Sequence, residues 1–209
     1  MAEPTVLAGD ERIPGRPFTD IVNSESDRLR LVAMVEQLVD TYGDPVVCDF
    51  APGKRPVCQS DPQGRQFRIY YVRPSLLFSA TNLTVVGFFG LKRPNADIRP
   101  LIAADKMFEP EFHKHRGLLS LSTVRIPDGN FANLVVFTND ESKGQWNSAP
   151  IHRDTVAKIS PPYYSSIRLT NATLPGGLAE PDGLVMDLVK YIDYESDPPW
   201  RAVRRLTQK

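Results

Sequence analysis

The sequence predicts an α+β fold built on an antiparallel sheet, and three observations carry that prediction. Residues 83–91 are apolar on both strand faces, with Val85, Phe89 and Leu91 on one side and Val86 and Phe88 on the other, the mark of a strand covered twice. Residues 127–130, Pro-Asp-Gly-Asn, make a tight-turn signal between two apolar runs, because glycine and asparagine tolerate positive φ. The periodicities over residues 83–174 then run strand, helix, strand, hairpin, strand, helix, strand, a split βαβ order that puts both helices on one face of the sheet. Helices cover only that face. The other is apolar too, so a second sheet, supplied most simply by a partner chain, is expected to cover it.

Taken in order, residues 1–17 are proline-rich and polar and are expected to form a disordered arm, since they bury too little apolar surface to offset their ordering entropy. Residues 18–82 form an N-terminal helix-and-strand extension. Within it, 18–22 is compatible with a short strand, and Ser24 with Asp27 reads as a capping box for a helix whose stripe is Leu31, Val35, Leu38 and Tyr42, stopped by Gly43. Residues 44–50 read as a strand, 51–64 as an exposed loop broken by proline and glycine, and 66–72 as an aromatic and β-branched strand ended by Pro74. Residues 75–82 have no clear type.

The main unit spans 83–195. After the strand at 83–91, Ile98, Leu101, Ile102 and Phe108 have helical spacing, 118–126 and 131–138 are the two arms of the hairpin, and Asn139-Asp140 caps a turn that runs through Trp146. The helix restarts at residues 147–150, with Pro150 where its missing N–H costs little, and carries His152, Val156 and Ile159 on one line until Pro161-Pro162. Residues 163–171 alternate as a strand, with Arg168 facing away from Ile167 and Leu169. A last strand at 184–194 precedes a polar tail, 196–209. An alternative architecture takes 18–72 as a decayed first copy of the same unit, so that one chain closes its own barrel.

Composition narrows the function. The chain has 209 residues, 41% hydrophobic, with 25 basic and 25 acidic residues and a formal net charge of +0, which provides no field for nucleic acid or anionic lipid. No apolar run reaches membrane-spanning length and no signal peptide is evident, so a soluble cytoplasmic protein is expected. There, Cys48 and Cys58 are expected to stay reduced. Phosphate-cradling glycine loops, nucleophile elbows and nucleotide fingerprints are absent from the sequence.

The block 83–176 resembles the dimeric α/β-barrel superfamily of ferredoxin-like domains, in the group of antibiotic-biosynthesis monooxygenase-like proteins. The residues that carry the resemblance are Trp146 and His152, placed after the hairpin strand and before Tyr163, Tyr164 and Arg168, similar to the tryptophan-to-histidine start of that group's second helix. The resemblance implies a homodimer, a hydrophobic small-molecule substrate held between sheet and helices, and oxygenation, cyclisation or dehydration of an aromatic or polyketide-like compound without a required cofactor. In some branches it implies heme. The heme-degrading relatives place their ligand histidine roughly three helical turns beyond the tryptophan, where this chain has Val156, Ala157 and Lys158, so His152 falls too early for that pattern.

Five residues are candidates for chemistry. His152 could serve as acid/base, since an imidazole near neutrality exchanges protons readily, or could simply satisfy a backbone group at a helix start. Trp146 could stack on a planar substrate or plug the helix against the sheet. Arg168 could orient a carbonyl or carboxylate, or pair with an acid. His113 and His115, two apart, are poor joint ligands for one metal, so no metal site is expected, but either of them, or His152, could be a single axial ligand in the heme alternative. A non-catalytic binding dimer is the third reading.

Overall fold

In a computed structural model of the chain, residues 3–43, 55–126 and 129–206 are described. The elements are β1 (Thr5–Leu7), α1 (Ile21–Gly43), β2 (Val57–Ser60), β3 (Gln66–Tyr71), α2 (Pro74–Ser79), β4 (Asn82–Lys92), α3 (Arg99–Phe108), β5 (Leu118–Arg125), β6 (Phe131–Phe137), α4 (Asp140–Ser148), α5 (Pro150–Lys158), α6 (Ser160–Tyr163), β7 (Tyr164–Pro175), β8 (Val185–Asp193) and β9 (Trp200–Arg205). Among the described residues all nine strands join one sheet in the order β1-β9-β8-β7-β4-β6-β5-β3-β2, antiparallel throughout except for β1 against β9. At its centre β4 lies between β6 and β7, and β6 lies between β4 and β5.

Several elements differ from the sequence expectation. The arm is not loose along its whole length, because Thr5–Leu7 pairs with β9, and the expected polar tail contains β9 itself. β1 is three residues long with its partner almost the full chain length away, whereas β9 pairs back on the neighbouring β8 across residues 194–199 as well as with β1. Residues 17–19 form a 3-10 turn with proline at its start, not a strand, and α1 begins at Ile21, one turn before the proposed capping box. Ser24 and Asp27 face inward instead of capping. Part of the expected loop is the edge strand β2, and the untyped connection is α2, which proline opens. The strand expected at 44–50, with Cys48, lies outside the described residues, as do Pro127 and Asp128 of the turn; Gly129 has φ +81°.

The larger correction concerns what covers the sheet. β2 and β3 extend the same sheet instead of forming a second one. The face carrying Leu83, Val85, Phe89, Leu134, Val136 and Leu174 is roofed by α1, whose Leu31, Val35 and Leu38 are buried with them. These helix residues recur every three to four positions and therefore share one side. At Gly87 the helix packs directly on the strand, where a Cβ would meet Leu31 at 2.9 Å. The double-sided apolarity that called for a second sheet is thus satisfied by a helix of the same chain. On the opposite face α3, α4 and the 3-10 turn Glu109–Lys114 supply Phe108, Phe112 and Trp146, packed on Tyr70, Leu118, Phe137, Val86, Leu121 and Val135. Among the described residues no helix is long and apolar enough to cross a membrane.

Candidate functional site

Trp146 and His152 are set by a local device. The Asn139 side chain accepts from the Ser142 N–H at 2.9 Å, and Asp140 and Glu141 sit in the first turn, so α4 starts with its orphan donors met and its dipole complemented. Two turns later Trp146 points inward, 5% exposed. Ala149 then leaves the helix at ψ 133°, and Pro150 restarts it as α5, as the sequence predicts for residues 147–150. The restart brings His152 to 5.6 Å from the Trp146 ring, centroid to centroid.

His115 approaches the same indole edge-on at 4.9 Å, and Phe108 and Phe112 lie 5.5 and 6.0 Å from it. The indole therefore fills the layer between helices and sheet, with an imidazole against it on each of two contacts. Burial lowers the pKa of His152, opposed by the Asn147 carbonyl and assisted by nearby His115. Burial likewise lowers that of His115, where Glu111 opposes and Arg73 and Lys114 assist. Both rings are neutral at pH 7, and a neutral imidazole offers a lone pair as base or ligand.

His152 also lines a cleft of ≈ 350 Å³ between α5 and the β8–β9 end of the sheet. Its walls include Asn147, Arg153, Val156, Pro161, Tyr194 and Arg201. The volume lies near the lower end of ligand-pocket sizes, about 300–1,000 Å³. The Tyr194 phenol is held protonated because burial raises its pKa, against smaller lowering effects of Ser160 and Arg201. A second hollow of ≈ 270 Å³, between residues 93–100 and Ile159, Pro162 and Tyr163, contains none of the predicted residues. Its arginine, Arg93, is already committed to the carbonyls of Pro161 and Tyr194.

The five predicted residues are therefore divided. His152, Trp146 and His115 converge, although Trp146 is packed and does not line the cleft. His113 is exposed, and its backbone carbonyl accepts from Arg73 Nη2 at 3.0 Å. Arg168 is on the far face of the sheet. Its neighbour across β4 is Phe89, on the α1 side, and its guanidinium donates to both Asp27 carboxylate oxygens at 2.6 and 2.7 Å. The role of orienting a substituent beside His152 is thus not open to it. Arg153 and Arg201, which do line the cleft, were not singled out from the sequence. Arg153 directly follows His152, and Arg201 would have emerged had residues 200–205 been read as a strand instead of a tail.

No protein-family model matches the chain, and no curated protein does. Solved structures give partial superpositions. A protein from Shewanella oneidensis aligns with TM-score 0.39 and 13% identity over 51% of this chain and 95% of its own. A heme-degrading enzyme from Listeria monocytogenes aligns with TM-score 0.33 and 12% identity over 54% of this chain and 77% of its own. A monooxygenase-like protein from Listeria innocua aligns with TM-score 0.32 and 11% identity over 60% and 76%. Among the described residues, no group of three or more His, Cys, Asp or Glu side chains could hold a metal ion, and Cys58 is an exposed free thiol.

Proposed function

We propose that this protein is a small-molecule enzyme in which His152 acts as acid/base on a substrate with an apolar, aromatic or polyketide-like body seated in the cleft between α5 and the β8–β9 end. The observation that carries the reading is a partly buried, neutral imidazole in the wall of a ligand-sized hollow. Such a base takes a proton from a phenolic or enolic position, and the proton then resides on the ring until it is returned. Tyr194, still protonated at pH 7, is the donor available to an oxyanion formed by that abstraction. Val156, Ala157, Pro161 and Pro199 supply the apolar wall. The same proposal takes β4 to β7, with α3 to α6, as a ferredoxin-like split βαβ unit, supported by the strand order β7-β4-β6-β5, with α1 standing where a partner's sheet would roof a dimeric barrel.

The test is proton exchange. Aromatic ketones with enolisable α-hydrogens, incubated with the protein in D₂O, are expected to gain deuterium, and His152→Gln to slow that gain by roughly 10²–10⁴-fold. Ketones that bind at His152 yet gain no deuterium with the wild-type chain would overturn the acid/base role.

A second reading is favoured by one feature, the neutral ring of His152 beside the Asn147 carbonyl, which is how an axial imidazole is commonly oriented. The residues fit heme at that ligand. The layer behind it is filled by Phe108, Phe112 and Trp146, so a macrocycle would lie in the outer cleft, against Val156, Pro161 and Pro199. Bound there, heme would supply redox and Lewis-acid chemistry at its iron. Added hemin is expected to give a shifted Soret band that His152→Ala removes; an unshifted band would eliminate this reading.

A further inference from the structure

We infer that the ligand of the His152 cleft is an organic carboxylate, its anionic end captured between Arg153 and Arg201; this rests on the reading of the cleft as a small-molecule site. Two guanidiniums line the cleft and no aspartate or glutamate does. Six arginines elsewhere among the described residues are paired with acids, among them Arg16 with Asp193, Arg65 with Asp61, Arg68 with Asp105, Arg99 with Asp97 and Arg168 with Asp27, and Arg73 and Arg204 are committed to backbone carbonyls. Arg153 and Arg201 have no acidic partner among the described residues, and both are exposed. On a chain whose formal net charge is +0, two unneutralised cations in the walls of one hollow create a local positive potential that favours an anion. The planar guanidinium fork matches a carboxylate, and charge-assisted hydrogen bonds are the stronger kind.

The sheet beside the cleft extends the same pattern. Arg201 lies across from Ile192, and Ile192 from Ile167; Val203 lies across from Lys190, and Lys190 from Leu169. Directly opposed residues share a face. That face therefore combines buried Ile167 and half-buried Leu169, Ile192 and Val203 with the exposed cations Arg201 and Lys190, and Lys190 also lacks an acidic partner among the described residues. An apolar body with an anionic head is the complement of such a surface.

The experiment compares 2-naphthoate with its uncharged methyl ester on the full chain, by calorimetry or ligand-observed NMR. The carboxylate is expected to bind about tenfold or more tightly than the ester, a difference of about 1.4 kcal/mol. Added salt is expected to weaken the carboxylate alone. Arg153→Gln with Arg201→Gln is expected to erase the preference, whereas Lys158→Gln, the same charge change on the same helix outside the cleft, keeps it. If carboxylate and ester bind equally and the arginine substitutions change nothing, the anion assignment fails while the small-molecule reading stands. If neither compound binds at millimolar concentration, both fail.

Discussion

Replacing Arg168 tests whether that residue holds the fold or serves the chemistry. The Asp27 side chain is 1% exposed and that of Arg168 19%, with both carboxylate oxygens engaged. Removing one partner of a buried pair costs about 3–5 kcal/mol, because the remaining charge stays desolvated. The partial exposure of the arginine screens it, which sets the expectation at the lower end, about 3 kcal/mol for Arg168→Met or Asp27→Leu. For a chain of this length that is a fall in Tm of about 6–12 °C. Methionine is chosen because it keeps much of the stem that lies beside Phe89, where the guanidinium sits 5.7 Å from the ring centroid. Changing both residues together leaves no orphan charge, so the double variant is expected to recover most of the loss, within about 1 kcal/mol of the parent. Urea unfolding of the four proteins gives the cycle, and 2-naphthoate binding gives the functional control, expected unchanged in every variant that folds. The reasoning is refuted if Arg168→Met unfolds like the parent but no longer binds ligand.

Three further outcomes follow from the same structure. His115 and His152 both have folded-state pKa values below the unfolded value of about 6.5. As pH falls through 6.5 the unfolded chain therefore takes up protons first, and stability declines toward the folded-state values while staying flat above 6.5; urea midpoints between pH 5 and 8 check the sign, and a gain on acidification would contradict it. Deleting residues 1–12 removes β1 and the carbonyls of Ala8 and Glu11 that receive fully buried Arg204, so a loss of about 1–3 kcal/mol per orphaned donor group is expected in a thermal melt. Gly90→Ala would put a Cβ 2.3 Å from the Tyr164 ring, with an expected cost of about 1–3 kcal/mol by calorimetry.

Periodicity was enough to locate β4, α3, β5, β6, β7 and β8, because each carries a long apolar pattern with its own stop signal. It was not enough for β1 and β2, edge strands of only three and four residues, or for β9, where three of the six residues are arginine. Arg204 shows why. It is wholly buried inside β9, yet its carbonyl partners are Ala8, Glu11 and Thr19, nearly two hundred residues away in sequence, and no local pattern announces a buried guanidinium. The convergence of Trp146 and His152 was legible because one helix restart sets it; that of His115 was not, since it depends on how α3 and the following turn cross the sheet. Strand parity did place Arg168 opposite Ile167 and Leu169. What it could not decide was which of those faces the helices α3 to α5 would take.

That choice follows from α1. Its buried side is polar at the start, with Ser24 and Asp27, and mainly apolar from Leu31 to Leu38, with buried Gln37 donating to Thr41 near its end, so it suits a sheet face that offers Arg168 and Tyr191 at one end and Val85 and Leu134 along the rest. With that face closed, α5 is left on the other with no buried residue of its own. Its position then depends on the Ala149–Pro150 restart and on His152 resting against Trp146. The imidazole proposed as the base is therefore also a packing anchor for the helix that forms one wall of its cleft. Alanine at 152 would remove both roles at once. Glutamine loses the basic nitrogen but keeps comparable bulk, so comparing the two substitutions separates a displaced α5, which weakens 2-naphthoate binding, from a lost proton acceptor, which slows exchange and leaves binding intact.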